Sequence, residues 1–268
     1  MSVMIVQILP QGIILAADRN ITSMRLGAGV GGSQIIVVLG QSQRPKVLRW
    51  PNRKALIGYV GAARIGDIPS DEWLYDHIGN HLDISNFEQL ANDLTNSVQR
   101  QRSLDEGNNE PEHLIIHLAG FEQREGHMVP VVYYIRNHHA VIENKPGEYY
   151  TDIRKEFICT EEFWGYFSGV SPEHIRRQLE ERVNNNQPFW FHQGYDLSIF
   201  NTLDVFLQGA FTLLHQVHPA HPSPQTLSEW EQYLKMSILT YGAYFQAFKG
   251  PGEQYVGGGA DTVSLKWP

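Results

Sequence analysis

The chain has 268 residues, of which 42% are hydrophobic and 19% charged, the balance of an ordinary globular domain. Its formal net charge of -8, with no cluster of basic residues, excludes the electrostatic footprint of a nucleic-acid-binding protein. A single cysteine, Cys159, excludes an internal disulfide, and no apolar run reaches the roughly 20 residues that span a bilayer. The N-terminus lacks the basic segment and apolar core of a signal peptide, so the sequence predicts a cytoplasmic protein without a membrane partner.

The first quarter of the chain is dense in strand signals. Two β-rich runs, residues 2–9 and 12–17, are separated by a Pro-Gln pair, which predicts a hairpin. A glycine-rich segment then leads into a third strand-like run at residues 35–39. After a polar turn, residues 46–50 and 55–61 predict a further pair of strands.

Helices follow in the middle of the chain, and then strands return. Ser70 begins an acidic stretch with apolar residues on one side, which predicts a helix. Ser85 and Glu88 form a capping-box pattern ahead of residues 87–98, whose apolar residues have helical spacing. Residues 103–112 are polar and predict an exposed loop. Three strand-like runs come next, at residues 113–121, 129–136 and 157–167.

The last third of the chain is mainly helical. A helix is predicted from Ser171, with Pro172 at its first position. Two longer stretches of apolar periodicity follow at about 198–217 and 225–248, and a final strand is predicted at 262–267. This order of elements lacks regular βαβ alternation, so it favours the α+β class over a doubly wound parallel sheet.

Two segments of the N-terminal region carry a family resemblance. They are Gly12–Asp18, with the sequence GIILAAD, and Lys46–Ala63, with the sequence KVLRWPNRKALIGYVGAA. Together they resemble the proteasome β-subunit and related bacterial ring peptidases of the N-terminal nucleophile (Ntn) hydrolase superfamily. Counting back from Asp18 without a gap, the resemblance places the family's nucleophile on Ser2. Met1 is then expected to be an initiator residue that is removed.

The resemblance continues more loosely along the rest of the chain. Residues 163–171, FWGYFSGVS, follow a predicted strand and precede a predicted helix, where the family has a supporting serine. Ser168 is the corresponding residue. Residues 253–258, EQYVGG, resemble the family's D-x-Y-S-G-G segment before the last strand, with Glu253 at the position of the aspartate.

The resemblance implies a fold, an assembly and a substrate class. The implied fold is a four-layer αββα sandwich, formed by a single domain over residues 1–268 with an additional helical elaboration at about 185–250. Relatives place their active sites inside a chamber, which implies a self-assembled homo-oligomeric ring acting on peptides or unfolded polypeptides. No metal or organic cofactor is implied, and whether an ATPase is a partner stays open.

The chemistry of such a site follows from its residue types. A free N-terminal serine carries a hydroxyl and an α-amine on adjacent carbons, so the amine, with a reference pKa of about 8, can accept the hydroxyl proton. The resemblance assigns Lys46 to hold this pair in a positive field and Asp18 to orient Lys46. The backbone N–H of Gly61, expected at the start of a helix, is assigned to the oxyanion. Ser168 and Glu253 are assigned to anchor the amine and its water.

Departures from the family pattern leave alternatives open. The nucleophile is serine instead of threonine, Glu253 replaces an aspartate, and Val256 replaces a serine that would bind the amine. The loop before Lys46 is also about a dozen residues longer than in the family, so Lys46 is assigned by the strand that follows it. The first alternative is a catalytically inactive ring or scaffold subunit. The second is an amidase for small amides with the same fold.

Two further patterns in the sequence are set aside. Glycines between residues 27 and 32 satisfy G-x-G-x-x-G, but a strand-like run follows where a phosphate site requires a helix N-terminus. Three histidines between residues 215 and 221 have regular spacing, but prolines interrupt any helix there and no carboxylate or cysteine lies among them. The sequence therefore predicts neither a dinucleotide site nor a metal site.

Overall fold

The structure is a computed structural model. It describes residues 3–9, 11–28, 34–50, 55–80, 87–103, 114–124, 127–138, 149–157, 189–194, 224–248 and 256–268, with scattered helical positions between 205 and 217. In chain order the strands are β1 (Val3–Leu9), β2 (Gly12–Asp18), β3 (Asn20–Ala28), β4 (Gln34–Gln43), β5 (Val47–Trp50), β6 (Ala55–Gly61), β7 (Arg64–Ile65), β8 (Ile68–Pro69), β9 (Leu114–Arg124), β10 (His127–His138), β11 (Tyr149–Phe157), β12 (Phe189–Gly194) and β13 (Ala260–Lys266). The helices are α1 (Ser70–Asn80), α2 (Phe87–Ser103) and α3 (Leu227–Phe248).

A four-stranded antiparallel sheet has the predicted hairpin at its centre. Its strand order is β12-β1-β2-β13, so the first strand of the chain, β1, and the last strand, β13, lie on either side of β2. Every described side chain of β1 and β2 is buried, because both faces of these two strands are covered. The predicted hairpin and the predicted final strand are therefore confirmed.

A five-stranded antiparallel sheet has the order β11-β10-β9-β6-β5. It contains the predicted pair β5 and β6 and the predicted strands β9 and β10, each of the latter somewhat longer than the sequence indicated. Strand β11 was not predicted, because its sequence YYTDIRKEF mixes apolar and charged residues, as edge strands do. Strands β3 and β4 form a separate two-stranded ribbon, and β3 was likewise missed because its sequence, NITSMRLGA, mixes polar and apolar residues.

The alternation of side chains along the strands creates an apolar core between the two sheets. On β1, Met4 and Val6 point into this core, while Val3 and Ile5 point to the opposite face. The sheets approach closely at Gly58 of β6, where a Cβ atom would lie 2.3 Å from the sulfur of Met4. A side chain at this position would therefore require the Met4 side chain to move.

The outer face of each sheet is covered by helix. One core lies between the five-stranded sheet and helices α1 and α2, and another lies between the four-stranded sheet and α3. The apolar periodicity that predicted helices from Ser70, over 87–98 and over 225–248 is thus confirmed by α1, α2 and α3. The described part of the chain is a mixed fold of helix and antiparallel sheet.

Helix α3 begins with a capping box that the sequence analysis did not use. The Glu229 N–H donates to Thr226 Oγ1 at 3.2 Å, and the Thr226 N–H donates to Glu229 Oε2 at 2.9 Å. The Gln225 N–H also donates to Glu229 Oε2, at 2.8 Å, and this bond together with that from Thr226 lowers the pKa of Glu229. The helix start is therefore fixed by a local signal as well as by packing.

Several predictions lie outside the described residues: the cap at Ser85, the loop that follows residue 103, most of the strand at 157–167 and the helix from Ser171. Among the helices that are described, none is long and apolar enough to cross a membrane.

Candidate functional site

Asp18 is the centre of a buried polar site at the end of β2. Its side chain is fully buried, and both carboxylate oxygens accept hydrogen bonds. The backbone N–H of Val3 donates to Oδ1 at 2.9 Å, while those of Asn20 and Gly257 donate to Oδ2 at 3.1 and 3.4 Å. Three segments that are distant in sequence therefore converge on one carboxylate.

Lys46 supplies the charge that balances Asp18. It lies just before β5, and its Nζ is 3.0 Å from each carboxylate oxygen of Asp18. The same ammonium donates to the backbone carbonyl of Asn20, and only 2% of the Lys46 side chain is exposed. The Tyr59 N–H donates to the Lys46 carbonyl at 2.9 Å and so fixes the backbone at this point.

Burial and pairing act in opposite directions on the two charges. Burial raises the pKa of Asp18, and Lys46 together with the backbone N–H donors partly counters that effect. Burial lowers the pKa of Lys46, again with Asp18 acting against it. A lysine whose pKa is lowered in this way is closer to exchanging a proton near neutral pH than a solvated lysine.

The start of β1 is anchored directly on this site. Val3 donates its backbone N–H to Asp18, and that nitrogen is the one bonded to the carbonyl carbon of residue 2. Ser2 itself lies outside the described residues, as do Ser168 and Glu253. Of the six residues assigned from the sequence, the structure describes Asp18, Lys46 and Gly61 and brings the first two into contact.

A turn of three glycines, Gly257–Gly259, closes the site from the C-terminal side. All three have positive φ, and the value of 70° at Gly258 lies in the left-handed region that favours glycine. The Arg19 N–H donates to the carbonyls of both Gly257 and Gly259 at 3.2 Å, which ties the turn to the residue after Asp18. Val256, just before the turn, is buried in the core beneath α3.

Gly61 does not stand at a helix N-terminus as expected. It is exposed at the end of β6 with φ of 97°, and the short strands β7 and β8 follow before α1 begins at Ser70. The helix start nevertheless folds back on this segment, because Ser70 donates from Oγ to the carbonyl of Ala62 at 2.8 Å and from N–H to that of Ala63 at 3.0 Å. Any oxyanion donor at Gly61 therefore acts without the dipole of a helix behind it.

Arg44 is a component that the sequence reasoning missed. Its Nη1 contacts both carboxylate oxygens of Asp71 at 3.1 Å and Oε1 of Glu72 at 2.7 Å, in the first turn of α1. Its backbone N–H donates to the carbonyl of Arg19 at 3.0 Å. The segment that carries Lys46 is thus held to α1 on one side and to the residue after Asp18 on the other.

The site has the chemical character of an ion pair within a backbone cradle. Within the described ranges, no group of three or more His, Cys, Asp or Glu residues is arranged to hold a metal ion. The groups that are present can orient an ammonium, impose a positive field and supply backbone N–H donors.

Comparisons with known proteins gave matches among solved structures alone. No protein-family model and no curated protein matches the chain. Among solved structures, the chain is similar to the Anbu (Gly-1) mutant from Hyphomicrobium sp. strain MC1, with 16% sequence identity and a TM-score of 0.45 over 99% of this chain and 82% of that chain. At this identity and TM-score, the likeness carries no conclusion about the site or the activity.

Proposed function

We propose that the chain is a peptidase or amidohydrolase of the Ntn type, with Ser2 as the nucleophile once Met1 is removed. The observation that carries the proposal is the buried Asp18–Lys46 pair beneath the start of β1. Asp18, which orients the lysine, accepts the Val3 N–H at 2.9 Å, and Val3 is joined to residue 2 by a peptide bond. Asp18 comes from the GIILAAD motif and Lys46 from the second motif, and the contact between them supports the proposal.

The proposed reaction is acyl transfer to Ser2. The α-amine accepts the hydroxyl proton, directly or through one water, as Oγ attacks the carbonyl carbon of the scissile amide. The tetrahedral intermediate then collapses, the C–N bond breaks, and the leaving amine takes the proton. Water hydrolyses the resulting ester on Oγ, which releases a carboxylic acid and restores Ser2.

The remaining assigned residues support this reaction in defined ways. A positive Lys46 lowers the pKa of the neighbouring amine, so that it is neutral and able to accept a proton. The Gly61 N–H is assigned to the oxyanion, where removing one such donor typically costs about 3 kcal/mol of transition-state stabilisation. Ser168 and Glu253 are assigned to the amine and its water.

The proposal includes a four-layer αββα arrangement within one domain. Its support is the set of three apolar cores, one between the sheets and one between each sheet and its helices. Self-assembly into a ring and peptide or unfolded polypeptide substrates belong to the same proposal, because the resemblance of the site motifs implies them. A cytoplasmic location, expected from the sequence, is proposed with them.

One observation favours a catalytically inactive subunit as the second candidate. Val256 stands where the resembling family has a serine that binds the amine, and its side chain is 1% exposed and packed in the core beneath α3. A buried apolar side chain supplies no hydrogen bond to an amine. An inactive subunit would keep the fold and the Asp18–Lys46 pair as structure alone.

The deciding experiment is the intact mass of the purified chain, with and without a peptide electrophile that traps N-terminal hydroxyls. We expect loss of Met1 and a single adduct that disappears in Ser2→Ala. The matched control is Ser42→Ala, which removes an exposed hydroxyl on β4 and is expected to leave the adduct unchanged. A retained Met1, or a free Ser2 without an adduct, would establish the inactive subunit instead.

A further inference from the structure

Helix α3 passes unusually close to the glycine turn that closes the site. At Gly242, in the second half of α3, a Cβ atom would lie 3.2 Å from the Cα of Gly257, 3.7 Å from its nitrogen and 3.8 Å from the carbonyl oxygen of Val256. All three are backbone atoms, so no flexible side chain can move aside. A methyl group at Gly242 therefore requires the turn or the helix to shift by a few tenths of an ångström.

The helix is poorly placed to make that shift itself. Tyr241 and Phe245, on either side of Gly242, are fully buried against the four-stranded sheet, and their rings contact each other edge to face with centroids 5.0 Å apart. A close-packed interior resists displacement of a whole helix more than displacement of a turn. The turn at Gly257 is accordingly the part that a larger residue would move.

The turn matters to the site because the backbone N–H of Gly257 is a hydrogen-bond donor to Asp18. The Gly257 N–H donates to Asp18 Oδ2 at 3.4 Å, close to the longest distance at which a hydrogen bond forms. We infer that α3, through Gly242, sets the position of the Gly257 N–H relative to Asp18, so that Gly242 is a positioning residue for the site. The inference rests on the proposed function for its catalytic meaning, while its structural content stands on these contacts.

The test substitutes Gly242→Ala and compares it with Gly79→Ala. Gly79 also lies in a helix, α1, but a Cβ there meets nothing within 4 Å, so this control carries the same change of residue without the clash. The readouts are the titration of the Asp18 carboxyl, followed by carbon NMR and assigned with Asp18→Asn, and the rate of the electrophile adduct at Ser2 as a function of pH.

The expected result is a change in the titration midpoint of Asp18 in Gly242→Ala, because displacement of the turn alters the length of the Gly257 hydrogen bond, which favours the charged carboxylate. The adduct rate should change by about tenfold, the order expected when a hydrogen bond to a charged group is altered. Gly79→Ala should match the wild type in both readouts.

A second variant covers a failure of Gly242→Ala to fold. Phe245→Leu removes part of a buried ring that packs α3 against the four-stranded sheet and should change both readouts by a smaller factor. If a folded variant of either kind leaves the Asp18 titration unchanged, the inference is overturned. If the wild type forms no adduct, the proposed function fails, and the Asp18 titration still decides whether α3 positions the turn.

Discussion

Two buried polar regions of this molecule differ in charge: one holds a pair of opposite charges, and the other holds a neutral side chain. At the Asp18–Lys46 site, two opposite charges lie within 3.0 Å and backbone N–H groups supply further hydrogen bonds. At His117, on β9, the side chain is fully buried between Ile115 and Ala119, which belong to the core between the sheets. Burial lowers the pKa of His117 to about 3, so this side chain stays neutral.

The comparison indicates which buried group is the better candidate for chemistry. A neutral ring packed within a core contributes shape and volume. A buried charge pair makes the fold lose several kcal/mol of stability if either partner is removed, because the remaining charge is left uncompensated. The Asp18–Lys46 region is therefore the stronger candidate for function. Three experiments test the difference between the two regions.

The largest effect is expected when the ion pair is split. Lys46→Met leaves Asp18 buried without its counter-charge, and Asp18→Asn does the same to Lys46, so each should lower the free energy of unfolding by about 3–5 kcal/mol. The double variant Asp18→Asn with Lys46→Met should cost much less than the sum, because no lone charge remains. Urea denaturation of the four proteins measures this. Strictly additive losses would mean that the two residues do not act as a pair.

A smaller effect is expected from acid at His117. Its folded pKa of about 3 lies below the reference value of 6.5, so only the unfolded state binds the proton between these values. The contribution of His117 to stability is complete above pH 6.5 and falls as pH decreases, by about 1.4 kcal/mol per pH unit. Between pH 6.5 and 5 the wild type should lose about 2 kcal/mol more than His117→Gln, measured by urea denaturation at each pH. Parallel pH profiles would show that His117 does not titrate in this way.

The smallest effect on stability is expected from loss of the partly exposed ion pairs of Arg44. About 35% of its side chain is exposed, and solvent screens its contacts with Asp71 and Glu72. Arg44→Met should therefore cost only about 0.2–1 kcal/mol of unfolding free energy. Arg49→Met, on the exposed side of β5, is the matched control and should cost nothing measurable. A loss from Arg44→Met as large as that from Lys46→Met would place Arg44 within the buried site.

The parts of this fold that were predictable are those with a strong local pattern. The runs of β-branched residues in β1 and β2 and the helical spacing in α2 and α3 identified those elements. The ribbon strand β3 and the edge strand β11 were missed, because polar and apolar residues do not alternate without interruption along their sequences. The helix from Ser70 was predicted, but the two-residue strands β7 and β8 that separate it from Gly61 were not, because they are too short to leave a periodic signal.

Only the side-chain components of the site were predictable from the sequence. Asp18 and Lys46 stood out through their motifs, and the structure places them in contact. The N–H donors at Val3, Asn20 and Gly257 left no signal, because any residue type except proline can supply a backbone N–H. The approach of Gly242 to Gly257 is a property of the packed helix and cannot be read from sequence spacing.

The hairpin of β1 and β2 also constrains how this sequence can change over time. Only Pro10 and Gln11 separate the strands, and the register that pairs Met4 with Ala17 sets Val3 beside Asp18. A one-residue insertion or deletion in that turn would exchange the two faces of a strand and move Val3 away from the carboxylate. The length of an unremarkable turn is therefore as constrained as the charged residues, and lineages of this chain should vary in the composition of the turn and not in its length.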